Sequence, residues 1–366
     1  MPRIGDIINF LERKAPLSLQ ETYDNAGLVC GSIDEDCSGA ITSLDFTGEI
    51  LQEAIDKKLN LIIVHHPPIF KPLKKIDPTE PTTALLLKAI HHQIAVYAIH
   101  TNLDNVIWGV NGEIARRIGL KEVQVLSPLQ HTHQKLVVFV PTEHKEQLEN
   151  ALFEAGAGSI GHYNECSFSS DGIGSFKPLK GSTPFIGTIN VREHVHESKL
   201  EMIFPFHLQG EILAAMHGNH PYETVAYDLL PLENTFSSMG AGAIGELTEE
   251  MGQQDFLDLL KKTFQTGVIK HNNCTRKKIK KVALCGGSGK QLINNALRMK
   301  ADVYITADLG YHDFFIPGEK MLLADIGHFE SEQFTSDLLV AMLNEKFPTF
   351  AVLKSAHKTN PVNYFL

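Results

Sequence analysis

The chain has 366 residues, 43% of them hydrophobic, so it can bury a large core, and its length predicts two or three domains. The formal net charge of −10 at pH 7 disfavours a polyanion such as nucleic acid as the main partner. The N-terminus does not resemble a signal peptide and no apolar run approaches membrane-spanning length, so we expect a cytoplasmic protein without a membrane partner.

Helices and strands are predicted to alternate up to about residue 125. In chain order the patterns indicate a helix at 7–11, a strand at 41–44, a helix at 50–59, a strand at 61–64, a helix at 84–90 and a strand at 94–99. Such alternation is typical of a largely parallel sheet covered by helices, which is an α/β fold.

The middle of the chain has a different pattern. It predicts a strand at 134–140, a helix at 143–155, a Gly/Ser-rich loop through 156–159 and 167–172, strands near 185–191 and 199–204, a helix near 206–217 and a strand from Val225. This order is that of the split βαβ, or ferredoxin-like, fold. We therefore predict an inserted α+β domain at 127–238 within a discontinuous α/β domain formed by 1–126 and 239–366. His217 and His220 of the insertion are interpreted as loop histidines.

The alternating pattern resumes near residue 280. A strand at 282–284, a helix at 290–299 and a strand at 303–305 repeat the earlier order, either as a weak internal repeat or by chance. Gly286-Gly287-Ser288-Gly289-Lys290 opens the helix, so its amides could hold an anion, although a plain tight turn explains the glycines equally well.

The pair His65-His66 directly follows the apolar strand at 61–64. Pro67-Pro68 cannot extend the strand, so the backbone must turn there. Neutral imidazole is a common ligand of transition metals in proteins, and strand ends deliver side chains to binding crevices. Adjacent strand residues face opposite ways, however, so one histidine of the pair could be a core residue.

Compatible ligands follow two other predicted strands. His100 and Asp104 come after the strand at 94–99, and His328 and Glu332 come after an apolar run at 321–326. The last two are four residues apart at the start of a predicted helix, so they share one face. Three strand ends that each carry histidine or carboxylate favour a shared metal site over coincidence. None of the 5 cysteines forms a Cys-x-x-Cys pair, so a zinc finger is not predicted.

Taken together, these motifs make the chain similar, over essentially its whole length, to the Nif-three-like family, catalogued as GTP cyclohydrolase 1 type 2 homologues. The matching motifs are Glu21-Thr22-Tyr23-Asp24-Asn25-Ala26-Gly27-Leu28, Leu44-Asp45-Phe46-Thr47, His65-His66-Pro67-Pro68-Ile69-Phe70, His100-Thr101-Asn102-Leu103-Asp104, Tyr311-His312-Asp313 and Gly327-His328-Phe329-Glu330-Ser331-Glu332. The middle segment resembles the long bacterial form with a PII/CutA-like insertion. Its marks are Cys166-Ser167-Phe168, Gly172-Ile173-Gly174-Ser175-Phe176-Lys177-Pro178 and His220-Pro221-Tyr222-Glu223.

The resemblance implies a dinuclear metal centre, with two divalent ions per chain. Its ligands would be His65, His66, Asp104, His328 and Glu332. Imidazole and carboxylate ligands suit Zn first, with Fe, Mn or Co as alternatives. His100 and His312 lie beside the ligand motifs and are the candidate catalytic residues, as proton carriers or orienting groups, although ordinary polar residues at a pocket rim would look the same. The family also forms toroidal homohexamers.

Two functions are compatible with the resemblance. The first is a metal-dependent hydrolase in which metal-activated water attacks a nucleotide or a related heterocycle, as in the opening of the guanine ring of GTP. The second is a non-catalytic metal-binding regulatory or scaffold protein with a PII-like sensor domain. Open coordination positions favour the enzyme, and the lack of an unmistakable base-binding motif favours the regulator.

Overall fold

A computed structural model describes residues 1–234, 238–275 and 277–365 of the chain. The chain separates into two compact units, one formed by 1–128 with 237–366 and the other by 129–236. The sequence places the corresponding boundaries at 127 and 238. Three sheets and their helices make up a mixed α/β fold, which confirms the predicted fold class at that level.

The N-terminal part of the first unit alternates helices and strands. They are α1 (Ile4–Lys14), β1 (Gly27–Cys30), β2 (Ala40–Ser43), α2 (Gly48–Asp56), β3 (Leu61–Val64), α3 (Pro81–His91), β4 (Ala95–Ala98), α4 (Thr101–Asp104), α5 (Val110–Ile118) and β5 (Lys121–Pro128). The second unit contains β6 (His133–Pro141), α6 (Lys145–Glu154), β7 (Phe168–Phe176), β8 (Glu193–Pro205), α7 (Gln209–Asn219) and β9 (Tyr227–Pro231).

The rest of the first unit follows the second unit in the chain. Its elements are β10 (Gly240–Gly252), α8 (Gln253–Phe264), β11 (Lys270–His271), β12 (Lys278–Ser288), α9 (Ile293–Arg298), β13 (Val303–Ala307), β14 (Leu322–Asp325), α10 (His328–Glu332), α11 (Thr335–Lys346) and β15 (Val352–Lys354). Short 3-10 turns occur at Leu17–Leu19, Thr142–His144, Phe206–Leu208, Lys290–Leu292 and Tyr311–Phe315.

The first sheet has the strand order β1-β4-β3-β2-β15, in which all neighbours are parallel except β1 and β4. All four residues of β3 are buried, as expected for a parallel strand covered on both faces. Val64 at the end of β3 is paired with Ser43 of β2 and with Ala98 of β4. This register brings the residues after the three strands to one edge of the sheet.

The second sheet has the order β11-β14-β13-β12-β10-β5. β12, β13 and β14 are parallel, whereas the other neighbours are antiparallel. Its buried core includes Tyr304 and Leu323 from two of the central strands. The chain leaves β14 at Asp325 and enters α10 at His328, which places this helix beside the strand ends.

The second unit has a four-stranded antiparallel sheet with the order β7-β8-β6-β9 and two helices, in the sequence β-α-β-β-α-β that defines the split βαβ pattern. Two element predictions were wrong. The Gly/Ser-rich stretch 167–172 lies largely in β7, and 185–191 is not a strand. β7 forms a ladder of nine residue pairs with β8, because backbone hydrogen bonds need no apolar side chains.

Among the helices in the described ranges, none combines the length and apolar character needed to cross a bilayer.

We predict that the first unit folds without the second. Pro128 at the end of β5 is paired with Gly240 at the start of β10, so the whole of 129–237 occupies the position of a hairpin loop. Replacing 129–237 by a short Asn/Gly linker should therefore leave a cooperative thermal transition and helix content in far-ultraviolet circular dichroism. A control deletion that also removes β5 should lower the transition temperature, because β10 keeps β12 as a neighbour but loses β5 and becomes an unpaired edge strand. Aggregation of both deletions alike would contradict the prediction.

Candidate metal centre

The ends of several strands meet at one edge of the first sheet. His65 and His66 follow β3, and Asp104 ends the short helix α4 that follows β4. His328 and Glu332 form the first and last residues of α10. His65 is fully buried and Glu332 is 3% exposed, so water has little access to their polar atoms.

Glu332 lies at the middle of the cluster. Its Oε2 atom is 3.0 Å from Nε2 of His66 and 3.0 Å from Nε2 of His328, while its Oε1 atom is 3.9 Å from Nε2 of His65. Oδ1 of Asp104 is 3.6 Å from Nε2 of His65. The structure thus brings together all five side chains that the family resemblance implies as ligands, with the two oxygens of Glu332 facing different imidazoles.

Each of the three imidazoles is held by a hydrogen bond from its Nδ1 atom. The acceptors are the Ile99 carbonyl for His65 at 2.8 Å, Oδ1 of Asp45 for His66 at 2.8 Å and Oδ2 of Asp308 for His328 at 2.6 Å. A proton on Nδ1 leaves a lone pair on Nε2, and such partners fix the ring orientation of metal-bound histidines. With the rings held in this way, Nε2 of His66 and Nε2 of His328 face Oε2 of Glu332, and Nε2 of His65 faces Oε1.

Two buried atoms of the cluster lack hydrogen-bond partners among the described residues. They are Nε2 of His65 and Oδ1 of Asp104. Burial lowers the pKa of His65 to about 3, so the ring is neutral and its lone pair is available. Burial and the nearby charge of Glu332 raise the pKa of Asp104 well above its usual range. A cation between these atoms would satisfy both and offset the buried negative charge, so the residues fit a divalent metal ion.

Without a metal ion, the imidazoles of His66 and His328 are protonated on both ring nitrogens at neutral pH. Burial alone would lower the pKa of His66, but hydrogen bonds to Asp45 and Glu332 raise it to about 10. Burial also lowers the pKa of His328, but hydrogen bonds to Glu332 and Asp308 raise it to about 9. Metal ligands must be deprotonated, so metal uptake at neutral pH would release protons from these rings.

The two candidate catalytic histidines are in different environments. His100 donates its Nδ1 proton to Oδ1 of Asp24 at 2.8 Å, and a ligand atom of its ring lies within 4.8 Å of ligand atoms of His65 and His66. His312 is exposed on the turn Tyr311–Phe315 and does not line the cavity at the metal cluster. A catalytic role for His312 remains a prediction.

A cavity of about 480 Å³ opens onto the cluster. Aromatic rings of Tyr23, Phe46 and Phe70 line it, as do His100 and Gln291. Its size is that of a small-molecule site, with apolar walls and a few polar groups.

The glycine-rich turn at the end of β12 supports the cluster. The Gly286 amide donates to Oδ1 of Asn111 and the Gly287 amide donates to Oγ of Ser331, both at 2.9 Å. These amides are engaged within the protein, which favours a tight turn over an anion site. Gly287 has φ +58°, and a Cβ atom there would overlap Oε1 of Glu332.

Sequence reasoning missed the carboxylates that orient the imidazoles. Asp45 follows β2, and its second oxygen accepts a hydrogen bond from Thr359 at 2.6 Å. Asp308 follows β13 and has φ +57°, which is uncommon for a residue with a side chain. Asp24 holds His100. Asp308 directly follows β13 and Asp45 lies two residues after β2, and these positions could have indicated them. Asp45 also stands in the motif Leu44-Asp45-Phe46-Thr47 of the family resemblance.

The chain is similar to known proteins over almost its whole length. Residues 2–361 match the family model Duf34/NIF3 (NGG1p interacting factor 3). A "GTP cyclohydrolase 1 type 2 homolog" of Bacillus subtilis is 39% identical over 98% of this chain and 97% of its own length, and one of Halalkalibacterium halodurans is 38% identical over 98% of each. The crystal structure of a Bacillus cereus protein related to NIF3 superimposes with a TM-score of 0.86 at 36% identity, covering 100% of this chain and 99% of the other.

We predict that Gly287→Ala weakens metal binding. The substitution adds both backbone strain and overlap with Glu332, so metal content after purification should fall and the melting temperature should drop by the equivalent of about 1–3 kcal/mol. Gly318→Ala is the matched control, since Gly318 has φ +53° with no atom within 4 Å of an added Cβ. Gly318→Ala should lower the melting temperature through the same backbone strain but should leave the metal content unchanged. Equal metal loss in both variants would show that strain, not contact with Glu332, matters.

Proposed function

The chain belongs to the Duf34/NIF3 family, and from this premise we propose that it is a metal-dependent hydrolase acting on a nucleotide or a related heterocycle. One observation carries the proposal: three imidazoles and two carboxylates converge, with their Nε2 atoms oriented, at a cavity of about 480 Å³. The name "GTP cyclohydrolase 1 type 2 homolog" of the relatives supports the substrate class.

The five side chains would hold two divalent ions, with zinc the best match to the ligand types and Fe, Mn or Co as alternatives. Asp104, His65 and Oε1 of Glu332 form one group, while His66, His328 and Oε2 of Glu332 form the other. Glu332 faces both groups, as a bridging carboxylate must. Bound ions of this kind polarise a substrate oxygen and lower the pKa of water.

His100 is placed to carry a proton. Its Nδ1–H is held by Asp24, which leaves the other ring nitrogen as the basic atom. Burial opposes ionisation of Asp24, but hydrogen bonds from His100 and Thr101 lower its pKa to about 2, so it stays a carboxylate at neutral pH. The pair thus resembles the orienting arrangement by which a carboxylate fixes a general base.

The aromatic walls suit a flat ring system. Tyr23 and Phe70 are 64% and 48% exposed, which is unusual for large apolar rings and leaves their surfaces available to a ligand. Phe70 meets the His100 ring edge-on, with centroids 5.5 Å apart. A heterocycle between these rings would lie next to both the proton carrier and the metal ligands.

The second unit is proposed to be a PII/CutA-like domain. Its β-α-β-β-α-β order and its antiparallel strand order β7-β8-β6-β9 support this assignment. Such a domain would serve the alternative function as well, in which the chain binds metal and regulates without catalysis.

Self-association into a homohexamer is also proposed. It is supported by a cluster of exposed apolar side chains on and beside the turn that carries His312, because patches of this kind often mark protein contacts. The cluster contains Tyr311, Phe315 and Ile316, which are 75%, 64% and 45% exposed.

Glu332→Gln should lower metal content and turnover together, since it keeps the shape but removes the charge that faces both groups. Elemental analysis measures the metal content, and assays with a panel of nucleotides that includes GTP measure the turnover. Glu330→Gln is the control. It removes a negative charge from the same helix, but the Glu330 carboxylate accepts a hydrogen bond from Asn360 and not from the histidines, so metal content and turnover should not change. A metal-loaded wild-type protein that turns over no nucleotide or heterocycle would favour the regulatory alternative.

His100→Gln separates proton transfer from metal binding. If His100 acts as a proton carrier, the variant should keep its metal and lose about 10²–10⁴-fold in kcat. Loss of metal in this variant would instead identify His100 as a ligand, which its position beside His65 and His66 allows.

A further inference from the structure

The second unit contains a cavity of its own, with a volume of about 260 Å³. It is lined by residues of two motifs that the proposed hydrolase does not use, at 172–178 and 220–223. These motifs are far apart in the chain, and the fold brings them to a common site between the end of β7 and the segment that follows α7.

Three aromatic rings form adjoining walls of this cavity. The ring of Tyr222 lies between those of Phe176 and Phe185, with centroid distances of 5.7 Å and 6.3 Å. Phe185 is 51% exposed, so the wall it provides is not part of a closed core. Rings set at angles to one another expose faces, and the face of an aromatic ring carries negative electrostatic potential.

A buried carboxylate also faces the cavity. Glu197 on β8 is 9% exposed, and its Oε1 atom accepts a hydrogen bond from the Tyr222 hydroxyl at 2.9 Å. Its Oε2 atom occupies the space where a Cβ atom of Gly174 would otherwise stand. No basic side chain of the described residues forms an ion pair with Glu197, so its charge is left without a cationic partner, which is costly for a buried group.

A second carboxylate lies at the rim. Oε1 of Glu223 accepts a hydrogen bond from the Thr183 amide at 2.9 Å and so fixes the loop that carries Phe185. The one basic residue of the lining, Lys177, is exposed and can extend into solvent. Two carboxylates against one lysine leave the lining with an excess of negative charge.

His220 holds Tyr222 in place. Its Nε2 atom donates to the Phe139 carbonyl at 2.9 Å, and its Nδ1 atom accepts from the Tyr222 amide at 3.1 Å. Both ring nitrogens are therefore engaged in supporting the backbone. His220 lies in the loop after α7, as predicted, whereas His217 lies within α7 and its loop assignment was wrong. His220 is 8% exposed and acts as a positioning residue for the aromatic wall.

We propose that this cavity binds a small organic cation, a protonated or quaternary ammonium group with apolar substituents. Such a group is attracted by ring faces and by the unpaired charge of Glu197, while its substituents replace water against the three rings. An anion would have to approach a buried carboxylate. A metal ion would lack ligands, since the His/Cys/Asp/Glu clusters found in the described ranges all lie in the first unit.

Choline and its neutral analogue 3,3-dimethylbutan-1-ol test the proposal on the full-length protein. They have the same shape, and only choline carries the charge. Titration calorimetry should show saturable binding of choline, and the neutral analogue should bind about tenfold or more weakly, as expected for a partly desolvated cation–π site. Equal binding of the two compounds, or no saturable binding of choline, would overturn the proposal.

Charge-matched variants locate the binding. Glu197→Gln should weaken choline binding about tenfold or more. Glu201→Gln removes the same charge four residues further along β8, where the carboxylate already pairs with Lys135 and Lys199, and should leave binding unchanged. If Glu197→Gln does not fold, Phe185→Ala at the half-exposed wall replaces it, with the same expected direction. If a folded Glu197→Gln or Phe185→Ala variant bound choline with wild-type affinity, the choline site would not be in this cavity.

Discussion

The carboxylate of Glu332 is the group on which the candidate metal centre depends. It is 3% exposed and lies within 4 Å of three imidazole nitrogens, so its ionised state is tied to the protonation of those rings. Burial opposes its ionisation, but hydrogen bonds with His328 and His66 lower its pKa well below the usual range. A negative group buried in this way is stable only beside positive charge, which protons or metal ions can supply.

This constraint explains the surroundings of the cluster. Each imidazole needs a fixed orientation for its lone pair to point inward, and the Nδ1 partners Asp45 and Asp308 provide it. Gly287 is required because a side chain there would displace Glu332. Asn111 ties the loop to the helix that carries Asp104, since it accepts from Gly286 and donates to the Asp104 carbonyl. The supporting contacts therefore determine the site as much as the five ligands do.

The second unit follows a different constraint. It is inserted where β5 and β10 would otherwise be joined by a hairpin turn, so the ladder between those strands does not depend on the length of the insertion. Its own core is built by alternate residues of β6 and β8 with the two helices. The unit also contains a cavity of its own, lined by aromatic rings and a buried carboxylate rather than by the imidazoles of the candidate metal centre.

Much of the candidate metal centre could be located in the sequence, because its candidate ligands are local signals. His65 and His66 follow an apolar strand, and the four-residue spacing of His328 and Glu332 puts both on one helix face. The family resemblance, now confirmed, joined these signals into one site. The mixed α/β fold was predictable for the same reason, since buried parallel strands appear as continuous apolar runs.

Only the tertiary structure decided the rest. That Asp45 pairs with His66 and Asp308 with His328 depends on strand register and on a left-handed backbone at Asp308, which no local pattern reveals. The strand β7 escaped prediction because backbone pairing with β8, not apolar alternation, makes it a strand. Glu197 and Tyr222 are 25 residues apart in the chain, and they meet only in the folded unit. Motifs of neighbouring residues can be recognised in the sequence, whereas contacts between distant segments are determined by tertiary packing.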